Sequence, residues 1–151
     1  MPTKFFEDYT VGEEATYGPI EVDSASMIEF ARQWDPQPFH VDPIAARTSM
    51  YGGIIASGWF TCALAMRTLV VNYLSPESSL GSPGLDSLKW LAPVRAGDEL
   101  WLHCVVLEAR PSHSKPDRGI LKTNIELSSA TGQLVLSMVA TNFVLRRHDP
   151  S

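Results

Sequence analysis

Ile54-Ile55-Ala56-Ser57-Gly58-Trp59-Phe60-Thr61-Cys62-Ala63-Leu64-Ala65-Met66-Arg67-Thr68-Leu69-Val70-Val71-Asn72-Tyr73-Leu74 is the longest apolar stretch of the 151-residue chain, and Arg67 is its only charge. A membrane-spanning helix needs about 20 consecutive, predominantly apolar residues. Ser57, Gly58, Thr61, Cys62, Thr68 and Asn72 interrupt this run, so no membrane partner is expected. Ser57 is a candidate N-cap, the helix begins at Gly58 or Trp59 and reaches about Tyr73, and Ser75-Pro76 ends it. A helix apolar on nearly all sides must be covered on nearly all sides. Arg67, alone on such a helix, then needs a carboxylate or carbonyl partner or a place at a subunit edge.

What covers the helix is read from the segments beyond it. Leu85–Leu91, Glu99–Arg110, Ile120–Ser128 and Leu134–Leu145 have strand composition, separated by the turn Pro93–Asp98, the polar loop Ser112–Gly119 and Ala130-Thr131-Gly132. Leu121, Thr123, Ile125 and Leu127 alternate with Lys122, Asn124, Glu126 and Ser128, the pattern of an antiparallel sheet with one wet face. Ser78–Gly84 reads as a linker, Ala15–Val22 as a further strand. Asp23 caps a helix over about 24–34 with Met27, Phe30, Ala31 and Trp34 at helical spacing. Asp42-Pro43 opens another, to about Ser49, closed by Gly52-Gly53. One apolar helix followed by an antiparallel meander with one apolar face predicts an α+β hotdog fold, a sheet wrapped around a long buried helix, as a single domain over 1–151. The Arg146–Ser151 tail is expected to fray.

A formal net charge of -5 argues against nucleic acid as a partner. Cys62 and Cys104 lie in apolar runs and read as buried hydrophobes. The N-terminus lacks a charged region followed by an apolar one, so a cytoplasmic location is expected. His103 and His113 have no neighbours at metal-ligand spacing, and no metal is expected.

The stretch that carries chemistry is Trp34-Asp35-Pro36-Gln37-Pro38-Phe39-His40-Val41-Asp42. Pro36 pushes Asp35 out of the helical region, two prolines stiffen the loop, and His40 is expected in an extended segment. Asp35 alone reads as a turn residue, His40 alone as a packed or surface histidine. Together, five residues apart and followed by the glycine-rich entry to the long helix, they can hold an acid/base pair around one water. Asp42 is explained as a helix cap and is given no chemistry. Trp90 and Trp101 read as sheet residues, of the core or a subunit interface; for Trp59 an acyl-pocket wall is the alternative to plain packing.

On these residues the chain resembles the MaoC-like hydratase family, whose loop reads Asp-x-Asn-Pro-x-His and whose long helix starts near Ile-Ala-His/Ser-Gly. The resemblance continues to Pro93-Val94-Arg95-Ala96-Gly97-Asp98 and covers roughly residues 10 to 146. It implies a hotdog fold, a homodimer or dimer-based higher oligomer, and reversible hydration of a 2-enoyl-CoA to a 3-hydroxyacyl-CoA, typically of R configuration. Coenzyme A is then part of the substrate, with no separate cofactor. Carried over, Asp35 activates the water that attacks C3, His40 shares that water and handles the proton at C2, and the Gly58 N–H receives the thioester oxygen. Gln37 stands where asparagine is usual and Ser57 where histidine is frequent; with Gly58 they form the substrate-binding set. Hotdog folds also host thioester hydrolysis, and fold does not decide function, so an acyl-CoA thioesterase and a non-catalytic acyl-binding hotdog are the rival readings.

Overall fold

A computed structural model describes residues 1–148. After a 3-10 turn at Phe6–Asp8, the chain forms β1 (Glu14–Glu21), α1 (Ser24–Trp34), α2 (Pro38–Val41), α3 (Pro43–Arg47), α4 (Gly58–Asn72), β2 (Gly84–Trp90), β3 (Glu99–Pro111), β4 (Arg118–Ser129) and β5 (Leu134–Leu145). All strand pairs are antiparallel, in the order β1-β3-β4-β5-β2. The fold is the α+β hotdog expected. None of the described helices is long and apolar enough to cross a membrane.

The alternation read in β4 carries the sheet. Its register aligns Leu102, Leu127 and Leu136 on one rung, Cys104, Ile125 and Met138 on the next, and Val106, Thr123 and Ala140 on the third. All nine are buried, and burial of each large apolar side chain contributes about 1.5–3 kcal/mol. Against this face α4 sets Phe60, Thr61, Ala65 and Leu69. Ser57 caps the helix as read, its Oγ accepting from the Trp59 N–H at 3.3 Å. At the other end Tyr73 Oη and Thr123 Oγ1 lie 2.9 Å apart, buried, while Tyr9 Oη donates to the Tyr73 carbonyl at 2.7 Å. Burial pushes both phenols upward, so they remain neutral hydrogen-bonding groups.

Four details depart from the sequence reading. Within one chain α4 is covered on one side only: Met66, Val70 and Val71 are 47%, 38% and 45% exposed, because a single sheet has one concave face to offer. Arg67 lies exposed on this side with no carboxylate within 4.0 Å among the described residues, so of the placements read for it the carboxylate partner is the one this chain does not supply. The strands are not a simple meander: β2 pairs with β5, so the turn Pro93–Asp98 carries the chain across the sheet rather than forming a hairpin. His40 lies in the helical turn α2 rather than an extended segment, since Pro38 at its start pre-sets a helical φ. The segment read as a linker is stitched down by Ser78 Oγ to the Lys4 carbonyl at 2.5 Å and by Leu80 N to Phe143 O at 3.0 Å.

Of the tail expected to fray, Arg146 N donates to the Asp117 carbonyl, Arg147 N donates to Glu7 and the Arg147 guanidinium pairs with Asp8. The last three residues of that tail lie outside the described residues.

Thr123 is polar on an apolar face only to meet Tyr73. Thr123→Val leaves a buried hydroxyl unpaired and is expected to lower unfolding stability by about 1–3 kcal/mol. Adding Tyr73→Phe removes the stranded group, so denaturant titration of the double variant should show clearly less than the sum of the single losses.

Candidate active site

Four segments converge at the N-terminal end of α4. Asp35 is the C-cap of α1, with φ -152° and ψ 65°, and its N–H donates to the Ala31 carbonyl at 2.8 Å. Pro36 forbids continuation of the helix there. The chain turns back at once, Gln37 N donating to Asp35 O at 2.8 Å and His40 N to Gln37 O at 2.9 Å. α2 therefore delivers His40 to the carboxylate it follows by five residues. The third segment, Ile54–Ser57, is pinned on both sides: Ile55 N donates to Phe39 O at 3.1 Å and Ala56 N to Val94 O at 2.7 Å. The fourth is the end of β2, where Trp90 continues the Leu102–Leu127–Leu136 rung onto a fourth strand.

The centre of the arrangement is the Asp35 carboxylate. Ser57 Oγ donates to its Oδ2 at 2.7 Å, Gln37 Nε2 donates to its Oδ1 at 2.8 Å, and His40 Nε2 stands 3.3 Å from Oδ2. Partial burial pushes the Asp35 carboxyl upward, but the hydrogen bonds from Gln37 and Ser57, with the charge His40 carries when protonated, outweigh it. The net direction is below the ordinary carboxylate value, so Asp35 is an anion at neutral pH. His40 is 5% exposed. Its Nδ1 lies 2.8 Å from the Ile55 carbonyl, an acceptor only, so Nδ1 carries the hydrogen. In the neutral ring Nε2 is then a bare lone pair turned toward Asp35.

Asp35 and His40 face a cleft of about 400 Å³, within the size range of small-molecule sites. Phe39, Tyr51, Ile55, Trp59 and Trp90 supply much of its wall. The Phe39 ring packs edge-on against His40 at 4.5 Å and lies 5.4 Å from Tyr51. Gly58 also lines the cleft, and its N–H makes no hydrogen bond among the described residues. The Trp90 indole lies over this residue, its Nε1 donating to the Gly58 carbonyl at 2.9 Å. A Cβ on Gly58 would come within 2.5–2.9 Å of that ring, so glycine is required by the approach of Trp90.

The structure thus brings Asp35, His40, Gln37, Ser57 and Gly58 together. Gln37 and Ser57 both act on the Asp35 carboxylate; Ser57 is fully buried behind it. Trp59 does line the cleft, with Trp90 edge-on at 5.0 Å. Sequence reasoning missed Trp90, Phe39 and Tyr51 as site residues. Trp90 belongs to a strand whose alternation says which face it is on, but not what lies over that face. Phe39, next to His40 in a two-proline loop, is the one a closer reading of the motif could have found.

Comparison with known proteins gives a consistent result. The profile of the family described as "MaoC like domain" matches residues 8–126. Among solved structures the chain is similar to a MaoC-like dehydratase from Rhodospirillum rubrum, with 38% identity, a TM-score of 0.88, and coverage of 97% of this chain and 99% of that one. It is also similar to the (R)-hydratase from A. caviae involved in PHA biosynthesis, with 25% identity, a TM-score of 0.70, and coverage of 90% and 97%. Among curated sequences it is 26% identical over 109 residues to the uncharacterised protein YdeM of Bacillus subtilis, covering 72% of this chain and 77% of that protein.

Removing the Ser57 donor tests what holds Asp35 ionised. In Ser57→Ala the carboxyl titration, followed by carbon NMR, should move upward. Because the folded-state pKa is depressed, the stability contributed by this carboxylate is present above the unfolded value of about 3.9 and is lost as pH falls through the folded value. The variant should therefore lose part of that contribution at neutral pH, with a smaller gap from the parent once both carboxyls are protonated in acid.

Proposed function

The chain belongs to the MaoC-like domain family, and on that premise we propose that it catalyses the reversible addition of water to a 2-enoyl-CoA thioester, giving a 3-hydroxyacyl-CoA, in a site built on Asp35 and His40. The observation that carries this reading is the pair of acceptors 3.3 Å apart, Asp35 Oδ2 and His40 Nε2, at the wall of a largely apolar cleft. Two acceptors facing one point are satisfied by a water that donates one hydrogen to each. Its lone pair is then directed outward, toward C3 of a bound enoyl thioester.

In the forward direction the water oxygen bonds to C3 and the C2–C3 π pair moves toward C2 and the thioester oxygen. The Asp35/His40 pair receives one water proton and returns a proton to C2, completing net addition of H and OH. The two groups act as a coupled unit, with the negative Asp35 favouring the imidazolium that forms transiently. Gly58 lends its free N–H, at the positive end of α4, to the enolate-like oxygen. Trp90, holding the Gly58 carbonyl, fixes the next peptide of the first turn, and its ring leaves room only for glycine beside the donating N–H. Gln37 and Ser57 keep the Asp35 carboxylate ionised and aimed. No separate cofactor enters this scheme, because coenzyme A is part of the substrate. Support also comes from the similarity to the R. rubrum MaoC-like dehydratase and to the A. caviae (R)-hydratase, the latter favouring the R product.

We read the working unit as a homodimer. The exposed apolar side of α4 and the unpaired edge of β2 support this, since single chains rarely leave such surfaces to water. Sedimentation at micromolar concentration should give twice the chain mass; a monomer would overturn this part of the reading.

The catalytic test follows loss of the conjugated enoyl-thioester absorbance with a short 2-enoyl-CoA, with a thiol reagent in parallel. The parent should hydrate the substrate without releasing thiol, and Asp35→Asn and His40→Ala should each lower kcat by about a hundredfold or more while remaining folded. Released thiol would assign thioester hydrolysis instead, and binding without either signal would assign an acyl-binding protein.

A further inference from the structure

We propose that Arg95, laid across the Tyr51–Gly53 turn at the rim of the Asp35/His40 cleft, anchors a phosphate of the carrier arm that brings the acyl thioester to the site. This rests on the acyl-thioester reading of the cleft and adds what that reading lacks, a residue for the anionic end of the ligand.

Arg95 follows directly on the cleft wall. Pro93 and Val94 line the cleft, and the Val94 carbonyl accepts from Ala56 N. The next peptide is fixed by a tight turn, Arg95 N donating to Asp98 Oδ2 at 2.9 Å and Asp98 N to Arg95 O at 3.1 Å. The side chain is held as well. Its Nη2 donates to the carbonyl of Tyr51, a lining residue, at 2.6 Å, and its Nη1 lies 3.4 Å from where a Cβ of Gly53 would sit. The guanidinium therefore rests on the glycine turn, in van der Waals reach of Gly53.

What this cation does not have is a counter-charge. Among the described residues no carboxylate lies within 4.0 Å of it, whereas Arg110, Arg118, Arg146 and Arg147 each have one. Asp98 engages only its backbone. A positioned, exposed and unneutralised arginine beside a cleft is suited to an oxyanion, because its remaining N–H groups present a planar fork to two phosphate oxygens. On a chain of net charge -5 such a ligand needs a local cation. Coenzyme A and a carrier protein's prosthetic arm share that chemistry: an uncharged pantetheine segment, compatible with a wall of Phe39, Tyr51, Trp59 and Trp90, ending in phosphate.

Calorimetric titration of the purified protein with pantetheine, 4′-phosphopantetheine and coenzyme A tests this, with Arg95→Gln and Arg95→Lys beside the parent. Glutamine keeps a polar, hydrogen-bonding side chain but carries no charge. The parent should prefer the phosphate-bearing ligands over pantetheine, Arg95→Gln should reduce that preference about tenfold, and Arg95→Lys should restore part of it. A preference already complete with 4′-phosphopantetheine assigns the phosphate next to pantetheine; one appearing only with coenzyme A assigns the nucleotide phosphates. The proposal is overturned if the parent shows no preference, or if Arg95→Gln weakens all three ligands equally, which would make Arg95 a brace for the turn. Because the readout is a ratio of affinities, failure of enoyl-CoA turnover with the ratio as expected would strike the hydratase reading alone.

Discussion

One carboxylate oxygen, Asp35 Oδ2, is the point on which three segments of the chain converge. It accepts from the Ser57 hydroxyl at 2.7 Å and faces His40 Nε2 at 3.3 Å. Ser57 caps α4, Asp35 ends α1, and His40 is bound through Nδ1 to the segment leading into α4. Each of these residues is fixed first by local structure, as a cap, a proline stop or a backbone contact. Charge then does the rest: an anion held by two donors presents a constant negative field to the imidazole, and the imidazole has only one nitrogen left with which to answer it.

That junction depends on the sheet behind it. The inward rungs of β3, β4 and β5 set the height of α4 above the sheet, and the Leu102–Leu127–Leu136 rung carries on to Trp90 at the edge. The indole arrives over the first turn of the helix, where its N–H holds the Gly58 carbonyl and its ring excludes any side chain at that position. A one-residue slip of β2 would turn Trp90 to the opposite face of the sheet. Strand pairing far from the carboxylate thus determines what packs over the first turn of α4 and which residue that turn can hold.

The outer side of α4 follows from the same geometry. A sheet curved around a helix covers the side it faces, and the apolar composition of Met66, Val70 and Val71 extends past that coverage. Within one chain, part of the apolar surface of this helix stays open, the side that the proposed homodimer would cover. In the proposed reading, the largely apolar cleft would take the uncharged arm of the ligand and the cationic rim at Arg95 its charged end.

Much of this was open to inspection in the amino-acid order. The α4 segment, its Ser57 cap, the proline stop after Asp35 and the alternation of β4 all rest on interactions within a few residues, where backbone geometry and periodicity are nearly independent of context. The pairing of Asp35 with His40 was legible for the same reason, five residues on a stiffened loop. What tertiary structure alone decided lies at contacts between distant segments: β2 crossing to pair with β5, Trp90 over Gly58 32 residues away, Ser57 acting on Asp35 22 residues away, and Arg95 reaching back to Tyr51 across 44. Local pattern tells which face a side chain takes; which partner waits on that face is set by how the layers close, and that depends on the packing of the whole chain at once.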